Sequence, residues 1–217
     1  MNIHEYQAKE IFRRYQIPVN AGRIAKTAEE AYSAARELLR PGSLVVVKAQ
    51  IHAGARGKGG GVKVVKSPEE AKAIAQKLLG TSLVTPQTGP EGKPVDSLLL
   101  EATTEIAREF YAAIVLDRGA AKPCLIISAA GGIEIEEVAH KDPSKIVKKH
   151  FSLDSGLDHK VALEAAKVLT SESKIQEAFA KIFAAMAKIF LDLDASLLEI
   201  NPLAIMKTGE VVAIDAK

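Results

Sequence analysis

The first half of the chain alternates amphipathic and apolar stretches, a pattern that predicts short helices and strands in turn. Residues 4–15 gather aromatic and aliphatic side chains on one face of a helix. Thr27 and Ser67 each stand just before a pair of glutamates, which is typical of a helix N-terminus. Three apolar runs predict strands, at 45–47, 62–65 and 96–102. Residues of about 22–103 are therefore predicted to build one small sheet with helices.

The pattern changes after residue 103, where the apolar runs become longer. Two runs joined by a short turn predict an antiparallel hairpin, at 108–118 and 122–129. The remaining pattern predicts a short helix, a strand, two helices and a final hairpin, at 133–139, 145–152, 158–169, 171–191, and 196–206 with 210–217. The helix at 171–191 is apolar around most of its circumference, which is typical of a core helix. The fold class is therefore mixed, α+β or α/β.

Composition narrows the class of protein without naming a function. The 217 residues are enough for one large domain or two lobes, and 47% of them are hydrophobic. A net charge of +2 with dispersed basic residues argues against a nucleic-acid partner. The chain has neither a membrane-spanning apolar segment nor a signal-peptide pattern at its start. Cys124 is the single cysteine, so no internal disulfide is possible. We expect a soluble, cytoplasmic protein.

A glycine-rich loop is the strongest chemical signal in the sequence. Five glycines lie within residues 54–61, with Arg56 and Lys58 among them, and Lys48 ends the preceding apolar run. Glycine lets the backbone approach a ligand closely, and successive N–H groups beside cations can cradle an anion. The loop therefore indicates a phosphate chain as ligand. The composition fits equally well a flexible hairpin tip whose charges are solvated.

Two common phosphate loops do not fit this stretch. A P-loop places Ser or Thr directly after its lysine and then opens a helix, whereas Lys58 is followed by Gly59. A dinucleotide-binding fingerprint also leads into a helix, whereas residues 62–65 predict a strand. The arrangement is strand, glycine loop, strand, and such a loop can fold over a nucleotide as a lid.

Acidic and amide side chains in later strands could supply the metal and nucleoside contacts of a nucleotide bound at that loop. Glu199 and Asn201 lie two residues apart in an apolar strand, and Asp215 comes from its hairpin partner. Nucleotide phosphates require magnesium, which prefers such oxygen ligands. Glu101 and Glu109 lie at predicted strand ends, where a carboxylate could accept a ribose hydroxyl or an adenine amino group. The alternative is that all five side chains cap strand ends or face water.

Five segments in the same order resemble one family, the β subunits of succinyl-CoA synthetase. They are MNIHEYQAK at 1–9, VKAQIHAG at 47–54, RGK at 56–58, GGIEIE at 131–136 and EINPL at 199–203. The resemblance covers the whole chain and implies the ATP-grasp fold, in which two lobes clamp a nucleotide between their sheets. It implies a small lobe of about 22–103 and a larger lobe of about 1–21 plus 104–217. The family's C-terminal CoA-ligase domain has no counterpart within these residues.

The resemblance also implies roles for individual residues. Seven positions match nucleotide contacts: Lys48, Ala55, Arg56, Gly57, Glu101, Thr104 and Glu109. Asn201 and Asp215 match magnesium ligands, and Glu199 matches the catalytic glutamate that faces a phosphohistidine of the partner α subunit. Two positions depart from the family. Ala55 replaces a glycine, which is harmless only if its φ is negative, and Ala130 stands where the family commonly has glutamate.

The activity implied by the resemblance is that of a ligase. Magnesium and ATP (or GTP) phosphorylate a histidine on the α subunit, which drives succinate and CoA to succinyl-CoA in the citric acid cycle. The implied partner is the α subunit, in a heterodimer or heterotetramer, with no nucleic acid or membrane. One alternative shares these motifs: the β subunit of another nucleotide-forming acyl-CoA ligase, such as malate–CoA ligase. A second alternative, of a different class, is a non-catalytic nucleotide-binding or assembly module.

Overall fold

The chain divides into two compact units, which we call unit 1 and unit 2. The computed structural model describes residues 2–103, 105–132 and 135–217. Among these residues, unit 1 comprises 2–7 and 20–103, and unit 2 comprises 8–19, 105–132 and 135–217. The first helix, α1 (Glu5–Arg14), crosses the boundary after Gln7. Thr104, one of the residues matched to nucleotide contacts, lies outside the described residues.

Unit 1 is built on a small antiparallel sheet with two helices. Its elements are β1 (Gly22–Ala25), α2 (Ala28–Leu38), β2 (Leu44–Ala49), β3 (Val62–Val65), α3 (Pro68–Leu78), β4 (Ser82–Leu83), β5 (Lys93–Pro94) and β6 (Leu98–Thr103). The main sheet has the order β1-β6-β2-β3, and β4 pairs with β5 separately. The hydroxyls of Thr27 and Ser67 accept hydrogen bonds from the N–H groups of Glu30 and Glu70, both at 3.1 Å. Both predicted helix starts are confirmed.

The two central strands of unit 1 run further than the sequence pattern indicates. Lys48 and Glu101 were each expected at the end of a strand, but β2 continues to Ala49 and β6 to Thr103. The reason is that β2 and β6 pair with each other along Leu44–Ala49, which extends both strands past their apolar runs. Lys48 stands opposite Leu99, so Glu101 is its diagonal neighbour on the same face.

Unit 2 is built on a five-stranded antiparallel sheet. Its elements are β7 (Ile106–Asp117), β8 (Lys122–Ser128), α4 (Ile135–Lys141), a 3-10 turn (Pro143–Lys145), β9 (Ile146–His150), α5 (His159–Leu169), α6 (Ser173–Asp192), β10 (Leu197–Met206) and β11 (Val211–Ala213). The strand order is β11-β10-β7-β8-β9. The apolar stripe of α6 is buried as predicted: Phe179, Ile182, Phe183, Met186, Ile189 and Phe190. Phe179 meets Phe110 of β7 edge to face, with ring centroids 5.0 Å apart.

The N-terminal segment is shared by the two units. Lys9, buried on α1, donates to the carbonyl of Ile214 at 2.7 Å, and Pro18 accepts from the N–H of Ala213 at 2.9 Å. These contacts place residues 8–19 with unit 2. Residues 2–7 belong instead to unit 1, because Glu5 contacts side chains there. The observed division thus differs from the predicted one in this segment. No helix among the described residues is long and apolar enough to span a membrane.

Candidate functional site

Four charged side chains meet beneath the glycine loop of unit 1, and we call them the charged cluster. They are Glu5, Lys48, Arg56 and Glu101. The Nζ atom of Lys48 lies 2.9 Å from Oε1 of Glu5 and 2.7 Å from Oε2 of Glu101. Nη2 of Arg56 lies 2.7 Å from Oε2 of Glu5. The two cations expected to bind phosphate are therefore joined through one carboxylate.

The charged cluster is buried, and its charges balance. The four residues are between 1% and 7% exposed, and they comprise two cations and two carboxylates. A buried charge is tolerated only with a partner, because its lost hydration has to be replaced by charge–charge contacts and hydrogen bonds. The cluster therefore acts as one unit, in which each charge keeps the others in place.

The glycine loop is tied down at its base by backbone hydrogen bonds. The N–H of Gly61 donates to the carbonyl of Arg56, and the N–H of Ala49 donates to the carbonyl of Gly61, both at 2.8 Å. Nη1 of Arg56 also donates to the carbonyl of Ala49 at 2.9 Å. Further along, Gly59 packs so closely against the backbone of Val84 that a β-carbon there would overlap it. These contacts favour an ordered loop over a solvated hairpin tip.

Ala55 adopts the backbone conformation that suits glycine. Its φ is +56°, in the left-handed region, so the replacement of the family's glycine by alanine is not harmless. A non-glycine residue in this conformation costs about 1–2 kcal/mol, because its β-carbon crowds the following carbonyl. Gly57, two residues later, has open space around its Cα. The departure at Ala55 is therefore a local strain within the loop that holds Arg56.

The predicted magnesium ligands lie in the same part of the β10–β11 hairpin in unit 2. β10 and β11 pair at Leu203 and Ala213, and mutual hydrogen bonds of 2.8 and 2.9 Å join the backbones of Glu199 and Lys217. Asn201 and Asp215 lie between these two pairs, so the hairpin brings them to the same part of the sheet. Asp215 lies two residues beyond the end of β11, so it is positioned by this continued pairing and not by the strand itself.

The donor set at this position suits a hard cation. Oδ1 of Asn201 accepts from the N–H of Gly132 at 2.8 Å, and Oδ1 of Asp215 accepts from the N–H of Ala216 at 2.9 Å. Within the described residues, no group of three or more His, Cys, Asp or Glu side chains is arranged to hold a metal. Magnesium needs no such cage, since it usually takes one or two protein oxygens and completes its shell with water and phosphate. Asn201 and Asp215 fit that requirement.

Glu199 is half-buried on β10 and is held by a tyrosine. The hydroxyl of Tyr111, on the adjacent strand β7, donates to Oε2 of Glu199 at 2.9 Å. Burial raises the pKa of Glu199 above its usual value, and the hydrogen bond from Tyr111 offsets part of that rise. The nearby carboxylates of Glu136 and Asp215 also raise this pKa. The ionised form of Glu199 is therefore disfavoured by its position in the fold.

We expect Glu199→Gln to stabilise the protein at pH 7. A carboxyl whose folded pKa lies above its unfolded value contributes its full stability below the unfolded pKa, and that contribution is lost as pH rises through the folded pKa. The ionised Glu199 therefore weakens the fold at pH 7, whereas a neutral amide does not. Urea unfolding should show a higher midpoint for the variant at pH 7 and a smaller gain at pH 4. Glu164→Gln, exposed on α5, is the control, and an equal gain at both pH values would contradict the expectation.

The other predicted residues have different surroundings. Glu101 lies in the charged cluster, whereas Glu109 is exposed on β7 in unit 2, beside Gly132. Ala130 donates its N–H to Oγ of Ser128 at 3.1 Å, a backbone contact that needs no side chain at position 130. Sequence reasoning missed Glu5, the acid that joins Lys48 to Arg56. Its signal in the sequence is its place in the N-terminal segment that resembles the family.

Comparison with known families and sequences identifies the family of the chain. A family model described as ATP-grasp domain matches residues 2–205. The chain is 50% identical over 219 residues to the β subunit of ADP-forming succinate–CoA ligase from Chlorobaculum parvum, and 47% identical over 217 residues to that of Bacillus licheniformis. Both alignments cover 100% of this chain and 56% of the relative. The chain thus spans little more than half the length of these curated relatives.

Solved structures share the fold at low sequence identity. A dinucleotide-forming acetyl-coenzyme A synthetase 1 from Ca. Korarchaeum cryptofilum, solved with coenzyme A and acetyl-coenzyme A, matches with a TM-score of 0.71. The match has 21% identity and covers 99% of this chain and 91% of the other. An ATP citrate lyase from Methanothrix soehngenii matches with a TM-score of 0.62 and 20% identity, covering 99% of this chain and 49% of the lyase.

Proposed function

The chain belongs to the ATP-grasp family, and we propose that it is the nucleotide-binding part of the β subunit of a succinate–CoA ligase. Identity of 50% along its whole length to a subunit of that name supports the proposal. The structural observation that carries it is the convergence of Lys48 and Arg56 on one carboxylate below a glycine loop. A pair of fixed cations beside backbone N–H groups is the arrangement that a phosphate chain requires.

Within this proposal unit 1 supplies the phosphate contacts. Lys48, Arg56 and the backbone of Ala55 to Gly57 neutralise and orient the phosphates. Glu101 also contacts Lys48, at 2.7 Å, and would reach a polar group of the nucleoside. Because these charges are already oriented before binding, little reorganisation accompanies the development of charge at the transferred phosphoryl group. Thr104 and Glu109 are proposed as further nucleotide contacts.

Unit 2 supplies the metal ligands and the contact to the phosphoryl acceptor. Asn201 and Asp215 would hold magnesium, which neutralises phosphate charge during transfer. Glu199 would accept a hydrogen bond from one N–H of an imidazole on the α subunit. That contact selects the tautomer whose other nitrogen attacks the terminal phosphorus, so the P–O bond to the nucleoside diphosphate breaks as the P–N bond forms. The phosphoryl group would then pass to succinate and be displaced by CoA.

We expect Asp215→Ala to weaken binding of magnesium-ADP by about 10- to 100-fold, the loss typical of a contact to a charged group. Binding of ADP in excess chelator should change much less, because the carboxylate then has no metal to hold. Calorimetry on wild type and variant, with and without magnesium, measures both. Asp154→Ala, exposed in the loop after β9, is the control. Equal losses with and without magnesium would mean that Asp215 is structural.

The ligase proposal itself is tested with a partner. The chain, extended as in its relatives and mixed with an α subunit, should label an α histidine from γ-labelled ATP and then form succinyl-CoA. Nucleotide binding without any labelling of α would favour the non-catalytic module. A panel of acids, with malate beside succinate, identifies the acid substrate. Parallel titrations with magnesium-ADP and magnesium-GDP identify the base.

A further inference from the structure

Glu5 is the one charged side chain of the cluster to which no function has been given. We propose that Glu5 is a positioning residue for the nucleotide phosphates: it sets the places of Lys48 and Arg56 without touching the ligand itself. This inference rests on the proposed nucleotide site and adds a residue to it. Its evidence lies entirely within unit 1.

The position of Glu5 lets it join two separate elements. It is the first residue of α1, whereas Lys48 lies on β2 and Arg56 in the glycine loop. One carboxylate oxygen faces Nζ of Lys48 at 2.9 Å and the other faces Nη2 of Arg56 at 2.7 Å. Each carboxylate oxygen of Glu5 therefore contacts a different cation.

A neighbouring amide fixes Glu5 in turn. Nε2 of Gln50 lies 3.3 Å from Oε2 of Glu5, and Oε1 of Gln50 accepts from the N–H of Tyr6 at 3.1 Å. Gln50 thus ties the carboxylate to the start of its own helix. With Glu5 only 5% exposed, its direction is set by contacts on several sides and not by solvent.

The two cations need such a partner because they repel each other and have long side chains. A lysine and an arginine each lose considerable rotamer freedom when they are held in one place. Glu5 keeps both in place before any ligand arrives, so less ordering remains to be done on binding. The physical consequence is a phosphate site whose affinity depends on a residue outside it.

Two effects of removing the Glu5 charge have opposite signs, and this makes the inference testable. Loss of a negative charge beside the site would strengthen anion binding by simple electrostatics, as expected if Glu5 competed with phosphate. Loss of positioning would weaken binding. We expect positioning to dominate, because Glu101 still balances part of the positive charge while the link to Arg56 is lost.

The test measures magnesium-ADP affinity of the full 217-residue chain by calorimetry. Glu5→Gln should weaken binding by about tenfold or more, the usual value of a charge-assisted contact. Arg56→Met should weaken binding as well, and the double variant should lose less affinity than the product of the two single losses, because Glu5 acts partly through Arg56. Glu29→Gln, which breaks an exposed pair with Lys72 in the same unit, should leave affinity unchanged.

Other results would contradict either the positioning role of Glu5 or the proposed function. The positioning role would be overturned by unchanged or stronger binding in Glu5→Gln, or by additive losses in the double variant. In each of these cases, binding of magnesium-ADP by the wild-type protein would still support the nucleotide site. Wild-type protein that binds no magnesium-ADP would overturn the proposed function and this inference together. If Glu5→Gln is unfolded by circular dichroism, Glu5→Asp is used, which keeps the charge but is too short to reach both cations. Wild-type affinity in Glu5→Asp would then overturn the inference.

Discussion

Lys48→Met should lower the free energy of unfolding by about 3–5 kcal/mol, the typical cost of removing one member of a buried ion pair. Methionine has nearly the length of lysine, so packing is largely kept. Its thioether cannot neutralise Glu5 and Glu101, whose side chains are 3% and 1% exposed. Glu5 would keep its contact with Arg56, whereas Glu101 would lose its contact with Lys48 in a buried place. The same variant should bind magnesium-ADP weakly, because one phosphate contact is gone.

Urea unfolding at pH 7 measures this loss. Lys72→Met is the matched control, since Lys72 pairs with Glu29 on the exposed surface of unit 1 at 2.8 Å. Exposed ion pairs contribute roughly 0–1 kcal/mol, so the control should stay close to wild type. If Lys48→Met lost no more stability than Lys72→Met, the charged cluster could not be the coupled unit that its distances indicate.

The second large effect is expected at Gly131, where alanine should cost about 2–3 kcal/mol in stability. A β-carbon at Gly131 would overlap the backbone of Phe110. Phe110 cannot easily yield, because it lies on β7 between β10 and β8 and is 1% exposed. The chain at Gly131 would move instead, and with it the N–H of Gly132 that is bonded to Asn201.

The same variant should therefore show a second change, in metal-linked binding. Displacement of Gly132 removes the hydrogen bond that orients the amide of Asn201, so magnesium-ADP affinity should fall together with the unfolding free energy. Gly119→Ala, in the β7–β8 turn with only an ordinary contact near its added β-carbon, should stay within about 0.5 kcal/mol. A Gly131→Ala protein as stable as this control would show that the close approach to Phe110 is dispensable.

Local signals in the sequence determined most of the secondary structure. Thr27 and Ser67 start helices because a hydroxyl needs only the N–H group three residues later. The buried stripe of α6 follows from the helical period alone. The β7–β8 and β10–β11 hairpins join strands that are neighbours in sequence, so their pairing is likewise local. In each case either the contacting residues are close in sequence or the pattern repeats over many residues.

The candidate site residues can be identified in the sequence by residue type and by family resemblance. Which residues surround them depends on the fold. The sequence predicts Lys48 and Glu101 to be charged residues at the ends of strands. They are instead buried neighbours, because β2 and β6 pair with each other although these two residues are more than 50 positions apart in sequence. Asn201 and Asp215 form the one pair whose approach could be foreseen, since a single hairpin connects them.

Only the tertiary structure shows which charges Glu5 contacts. It lies 43 residues from Lys48 and 51 from Arg56, and nothing in the local pattern of α1 distinguishes it from the exposed Glu10 on the same helix. The same long-range contacts place residues 2–7 with unit 1, while Lys9 and Pro18 contact the end of β11 in unit 2. The sequence by itself determined most of the helices and strands, the ATP-grasp family and the identity of the candidate ligands. The partners of buried charges are set by desolvation, which depends on every element packed around them and on no single stretch of chain.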